Sequence, residues 1–235
     1  MLRCWRGENG PRRSKKNGLR IKDKFSPRVS LSRIPVTTEL KPEAPYDVIF
    51  VVMRYTQLDT IMDTLRASRA KNIIFVGNNV RAEATAAALP EKNVLFAFAS
   101  SAGYRESDRV ASVDLKKITI GQLSGAPSNE GLIGEIFSGT KYKVVYEPNM
   151  GDYLLCHAAF VLPAAFACYK TDGDLKKLKG NTAYLSRMID ANIEGYRAIR
   201  NAGHTILPKE DSDFEGAAYP VWRELEQEAG RYLQA

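Results

Sequence analysis

Cys156 and His157 are adjacent in this sequence, a thiol that could act as nucleophile beside an imidazole that could act as base. Their spacing forbids the pairing. Both lie in the apolar run "YLLCHAAFVLPAAFACY", which reads as a helix, and neighbours on a helix point about 100° apart. A core thiol beside a hydrogen-bonded histidine is the plainer reading. Other candidates stand just past predicted strands. Arg54 and Gln57 follow "DVIFVVM", and Asn78 and Asn79 follow "NIIFVG". The C-terminal edge of strands in an open α/β sheet is where ligands bind. Arg6, in "CWRGE", has the side chain best suited to a phosphate, because a guanidinium makes bidentate, charge-assisted contacts. The lysines of "DLKKLKG" read as a solvated charge run. The three cysteines, Cys4, Cys156 and Cys168, lack metal-ligand spacing. No G-x-G-x-x-G occurs, and "GQLSG" and "EGLIG" are wrongly spaced, so no glycine turn is offered to a diphosphate.

The elements that would position these residues alternate. "DVIFVVM" is nearly all apolar and β-branched, as in a parallel strand covered on both faces. Leu58, Ile61, Met62 and Leu65 then share one helix face. "NIIFVGNN", "RAEATAAAL", "NVLFAFAS" and "KITIGQL" continue as strand, helix, strand and strand, ending at Gly121. "NGLRIKDKF" and "VSLSRIPV" predict short exposed strands. This order predicts an α/β fold with a βαβ sheet. Beyond "SGAPSN" the chain reads as a short helix, a strand-like "KYKVVYE" and, from Asp152, helices only, the one carrying Leu185, Met188, Ile189, Ile193 and Tyr196 being closed by Gly203. A boundary at 125/126 divides a sheet domain, opened by a basic and poorly structured arm over 1–28, from an all-α domain.

The 235 residues, 44% apolar, suffice for a core. The net charge of +7 is local: residues 1–30 carry ten Lys/Arg against Glu8 and Asp23, and the rest of the chain sums to −1. A basic arm on a neutral body argues against a nucleic-acid face. The longest apolar run contains His157 and Pro163 and reads as a buried core helix, so no membrane partner is expected. The odd cysteine count predicts a reduced, cytoplasmic setting.

These segments, in this order, resemble the ketopantoate reductases (2-dehydropantoate 2-reductases). "ENG…KKNGLRIKD" is similar to the stretch after that family's second strand. "YDVIFVVMRYTQLDT" resembles its strand and K-x-x-Q motif, with Arg54 for the lysine, and "IIFVGNN" its Q-N-G turn, with Asn79 for the glycine. "ITIG" resembles a later strand. "GDYLLCHAAFVLPAAFACY" resembles the first long helix of the helical domain, and "IEGYRAIRNAGHTILP" the helix and turn that follow. The resemblance implies an incomplete Rossmann-like parallel sheet followed by an all-α domain like the C-terminal domain of 6-phosphogluconate dehydrogenase. It implies NADP-dependent reduction of a 2-keto acid to a 2-hydroxy acid, a pantothenate-pathway type of reaction, and leaves open a homodimer. By the same resemblance Arg6 meets the 2′-phosphate, Arg54 and Gln57 border the adenine or phosphate side, and Asn78 lies beside the nicotinamide ribose and the substrate. Because asparagine tolerates the left-handed region, Asn79 is expected to keep the turn.

The catalytic positions depart from the family. Leu154, Leu155 and Cys156 occupy the stretch where it keeps its lysine, and Ala158 and Leu162 stand where polar substrate-holding residues are expected. Asn78 and His157 are the remaining catalytic candidates, and Tyr153 and Glu194 have only position in their favour. The chain is expected to begin at the end of the family's second strand, and to skip a segment at Glu215–Gly216. A non-catalytic relative that works by binding a partner is the alternative function.

Overall fold

The computed structural model describes residues 4–5, 18–24, 26, 28–107, 109–179 and 181–215. Nine strands are found among them: β1 (Cys4–Trp5), β2 (Leu19–Asp23), β3 (Val29–Ser32), β4 (Val36–Thr37), β5 (Val48–Val52), β6 (Asn72–Val76), β7 (Asn93–Arg105), β8 (Val110–Gly121) and β9 (Lys143–Tyr146). The helices are α1 (Met62–Ala67), α2 (Ala82–Ala87), α3 (Glu130–Phe137), α4 (Met150–Lys170) and α5 (Thr182–Asn201). β1 and β4 form a parallel pair. The other strands form one sheet ordered β3-β2-β8-β7-β6-β5, with β9 added beside β8.

The sheet is mixed. β5, β6 and β7 run parallel in uninterrupted register from Val48↔Asn72 to Val52↔Val76 and from Asn72↔Asn93 to Val76↔Ala97. β7 and β8 then pair antiparallel, as do β2 and β3. The sequence reading ended one strand at "NVLFAFAS" and began the next at "KITIGQL". Instead both strands extend toward each other and meet in a hairpin turn where Glu106 N–H donates to Arg109 O at 2.9 Å. The outer end of β7 is exposed and that of β8 partly buried, and neither keeps a strict two-residue apolar alternation although the ladder continues.

Burial follows position in the sheet. Ile73, Ile74 and Phe75 of β6 are enclosed on both faces, and Phe75 stacks on Phe96 at 5.7 Å. β5 differs from the reading of its sequence. It is the edge strand, with Val51 buried but Phe50 and Val52 exposed. The helix after it is also interrupted. Tyr55–Thr60 forms a 3₁₀ turn, Ile61 takes φ −121°, and α1 starts at Met62. The apolar face survives this break, because Leu58, Met62 and Leu65 are all buried.

On one face of the sheet Ile74, Leu95, Ala97, Ile118 and Ile120 pack under Ile133 of α3. β9 pairs parallel with β8, and Glu147 N–H donates to Ile120 O at 3.0 Å. A Cβ on Gly121 would lie 1.8 Å from Glu147 O, so only glycine permits this approach. α3 and β9 therefore belong with the sheet. The two compact units are 1–77 with 83–148, and 78–82 with the residues from Asn149 onward, not the division at 125/126. Within the stretch expected to be a poorly structured arm, Leu19–Asp23 is a strand paired to both β3 and β8.

In the second unit α4 and α5 pack closely. Pro163 has no N–H, which would leave the Ala159 carbonyl four residues earlier without a donor. Asn192 of α5 fills that place: its Nδ2 donates to Ala159 O at 2.9 Å and to Phe160 O at 3.2 Å. Next to it Gly195 lets the helices close, since a Cβ there would lie 3.0 Å from Ala159 Cβ. α5 ends as its sequence suggests. Gly203, at φ +89°, donates to Arg200 O at 3.0 Å, and His204 N–H donates to Ile199 O at 3.2 Å, a Schellman closure. α4 is not the buried core helix expected of it. It is long and apolar enough to cross a membrane, and 33% of its most apolar stretch is buried in the fold.

Candidate functional site

The parallel register places Arg54 and Asn78 each two residues beyond the paired Val52 and Val76, at the C-terminal ends of β5 and β6. Arg54 is exposed and extended (φ −64°, ψ 137°), opening the 3₁₀ turn in which Gln57 N–H donates to its carbonyl at 2.9 Å. Gln57 is exposed, and its own carbonyl accepts the Thr60 hydroxyl at 2.7 Å. After β6 the turn is made differently from the expectation. Gly77 takes the positive φ, +130°, and its N–H donates to Ala97 O at 2.9 Å. Asn79 does not adopt the left-handed region. Its buried side chain folds back so that Oδ1 accepts Arg81 N–H at 2.9 Å, leading into α2. Asn78 Oδ1 is enclosed and meets no hydrogen-bond donor. A buried carbonyl oxygen without a donor costs free energy, and a bound hydroxyl or amide N–H would relieve that cost.

On α4, burial pushes the His157 imidazole down to about 4, so it is neutral at physiological pH. It stacks on the Tyr153 ring, with centroids 6.4 Å apart. Cys156 is buried, and burial pushes its thiol up to about 11 although Leu207 N–H donates to the sulfur at 3.4 Å. A thiol with that pKa is protonated at neutral pH and is no nucleophile, in line with the sequence reading. Leu154 is wholly buried, so the stretch that should carry the family's lysine presents an apolar core residue there. Ala158 is partly buried and Leu162 exposed. Glu194 is exposed. In the charge run, Leu175–Leu178 forms a 3₁₀ turn that buries Leu178, and Lys177 Nζ donates to Thr171 O at 3.2 Å, capping α4. Arg6 and the junction at Gly216 lie outside the described residues.

The sequence reading passed over the best-ordered polar cluster. Asp152, in the first turn of α4, is buried and fully engaged. Its Oδ1 lies 2.7 Å from His204 Nδ1, and its Oδ2 accepts Thr205 N–H at 2.9 Å and Asn149 Nδ2 at 2.7 Å. Asn149 Oδ1 in turn accepts Asp152 N–H at 3.2 Å, a reciprocal cap. The N-x-x-D spacing at 149–152 was the available signal for the helix start. That the carboxylate also ties down the turn after α5 is a contact across 52 residues with no local signature. Tyr196 adds a second polar link, its hydroxyl donating to Asp211 Oδ2 at 3.2 Å, and burial pushes both groups up.

Among the described residues, Arg54 offers an exposed guanidinium suited to phosphate, and Asn78, which belongs to the other compact unit, an acceptor suited to a ribose hydroxyl or carboxamide. They supply no glycine turn for the diphosphate. No group of three or more His, Cys, Asp or Glu among them is placed to hold a metal.

Residues 3–125, most of the sheet unit, match the family model described as ketopantoate reductase PanE/ApbA. No curated protein matches the sequence. Among solved structures, the 2-dehydropantoate 2-reductase of Geobacter metallireducens superposes with TM-score 0.68 at 14% identity, over 85% of this chain and 68% of that one. D-mandelate dehydrogenase, in a ternary structure with NADH and anilino(oxo)acetate, gives 0.67 at 13% identity, over 89% and 69%. A dimeric ketopantoate reductase of Staphylococcus aureus gives 0.63 at 15% identity, over 84% and 68%. These likenesses establish the fold, a Rossmann-like mixed sheet with a helical C-terminal region, and the chain spans about two thirds of each neighbour's length. With more than half of its length matched by that one model, the chain belongs to the ketopantoate reductase family.

Proposed function

We propose that this chain acts in the family's reaction, the NADPH-dependent reduction of a 2-keto acid to a 2-hydroxy acid, and does so as a cytoplasmic homodimer. The observation that carries the reading is Asn78 Oδ1, a buried acceptor with no donor, set just past β6 where the sheet's ligand-binding edge lies. The reduced nicotinamide supplies hydride to the substrate's carbonyl carbon. The chain's own residues bind and orient: Asn78 accepts a hydrogen bond from the ligand, and Arg54 pairs with a phosphate. The dimer is supported by the dimeric S. aureus neighbour, and the cytoplasmic setting by the free thiols Cys156 and Cys168.

Leu154 favours a second reading. The developing alkoxide needs a positioned donor, and a wholly buried leucine offers none. A family member that keeps nucleotide recognition but not turnover would look the same. One titration separates the cases. NADPH is expected to raise the melting temperature progressively with concentration, by mass action, and Arg54→Ala to weaken that shift. Oxidation of NADPH with ketopantoate or another 2-keto acid then tests the reduction itself. A shift without turnover leaves the binding reading, and no shift at millimolar NADPH or NADH ends both.

A further inference from the structure

The C-terminal half of α4 carries an apolar stripe that nothing among the described residues covers. Leu162, Phe166 and Tyr169 are 54%, 65% and 79% exposed, and Ala165 is exposed between them. Positions 162, 165, 166 and 169 follow i, i+3, i+4, i+7, so they form one continuous face. The opposite face is already in use: Pro163 and Ala167 are buried, and Ala167 packs with Leu178 and Met188. The stripe is therefore the outward side of a helix fixed from behind, and it carries no charge before Lys170.

We infer that this stripe is the face through which two copies of the chain pair, α4 against α4 of the second copy. The inference rests on the homodimer proposed above and names its surface. A stripe with small Ala165 near its middle and large Leu162 and Tyr169 at its ends is self-complementary. A two-fold axis beside Ala165 and Phe166 sets Leu162 of one copy opposite Tyr169 of the other, and the alanine makes room for the facing ring. The area is also of the right order. Aromatic side chains bury about 150–250 Å² each, so the exposed parts of two of them with Leu162 amount to roughly 400 Å² of apolar surface per copy. That is about the size of the largest patch a typical monomer leaves open, and two such patches form the apolar centre of an interface of about 1,200 Å² once a polar rim is added.

The test uses the full chain. Sedimentation velocity over a wide concentration range is expected to give a dimer for the natural sequence. It is expected to give a monomer for Phe166→Glu and for Phe166→Lys measured separately. Mixing the two variants should restore a dimer, because opposite charges then face each other across the axis. Both variants should keep the parent's melting temperature at concentrations where the parent is monomeric, since the ring is 65% exposed and stands on the face of the helix that the described residues leave open. A dimer that survives Phe166→Glu overturns the surface while leaving the homodimer standing, and a monomeric natural chain overturns both. A large loss of melting temperature would mean that the chain covers its own stripe. Binding of the monomer to vesicles of anionic lipid, lost in Phe166→Glu, would assign the face to a membrane surface instead. The NADPH titration is independent of all these outcomes.

Discussion

His157 gives the sharpest quantitative handle on the second unit. Its imidazole has an ordinary value of 6.5 and is pushed down to about 4 by burial. As pH falls, the unfolded chain takes up a proton first, so between 6.5 and about 4 the unfolded state binds more protons than the folded one. Stability present above pH 6.5 is therefore lost through that window, and the loss levels off below the folded value. The full difference corresponds to about 3.4 kcal/mol, at about 1.4 kcal/mol for each pH unit of displacement. The side chain is only partly buried, so solvent reaching the ring reduces this, and about 2 kcal/mol at pH near 4.5 is the expected effect. Asp211 works in the opposite direction, because burial raises its carboxyl and acid therefore favours the fold. The comparison must cancel it. Urea unfolding of the parent and of His157→Gln, at about pH 7.5 and about pH 4.5, does so, because Asp211 is common to both proteins. The parent should lose about 2 kcal/mol more than the variant between the two conditions. Parallel losses would refute the claim that the folded protein holds His157 neutral in acid.

Two further predictions concern polar groups that the fold depends on. Asp152→Ala removes the acceptor shared by His204, Thr205 and Asn149 and should cost about 3–5 kcal/mol in urea unfolding, whereas a loss under about 1 kcal/mol would mean that water substitutes for the carboxylate. Asn192→Leu should cost about 1–3 kcal/mol by stranding the Ala159 carbonyl, and Pro163→Ala, which restores a helical N–H, should recover part of it in the double variant; simple additivity would refute the link.

Much of the sheet was legible because its signals are local. "NIIFV", "VIFVV" and "KVVY" are strands on composition alone, and the end of α5 follows from Gly203. The family resemblance was legible because these segments keep their order. What the sequence left open were matters of neighbourhood. Nothing in "DVIFVVM" distinguishes a central strand from an edge strand, since both-face burial depends on what lies alongside. The outer halves of β7 and β8, which carry no regular apolar alternation, pair because each offers the other its backbone, a contact that side-chain pattern does not report.

The candidate site divides in the same way. Spacing along a helix disqualified Cys156–His157 as a dyad, and residue type marked Leu154 as a departure from the family. Only the tertiary structure decided that Asn78 Oδ1 is an enclosed acceptor, that Asp152 holds His204 and Thr205 from the far end of α5, and that the C-terminal half of α4 has an exposed face. Local patterns set the conformation of each segment through backbone propensity and periodicity. Burial, and with it pKa, hydrogen-bond satisfaction and open apolar surface, depends on atoms brought from elsewhere in the chain. That is why the sequence determined the elements and their family, and the packing determined which of their side chains are free to bind.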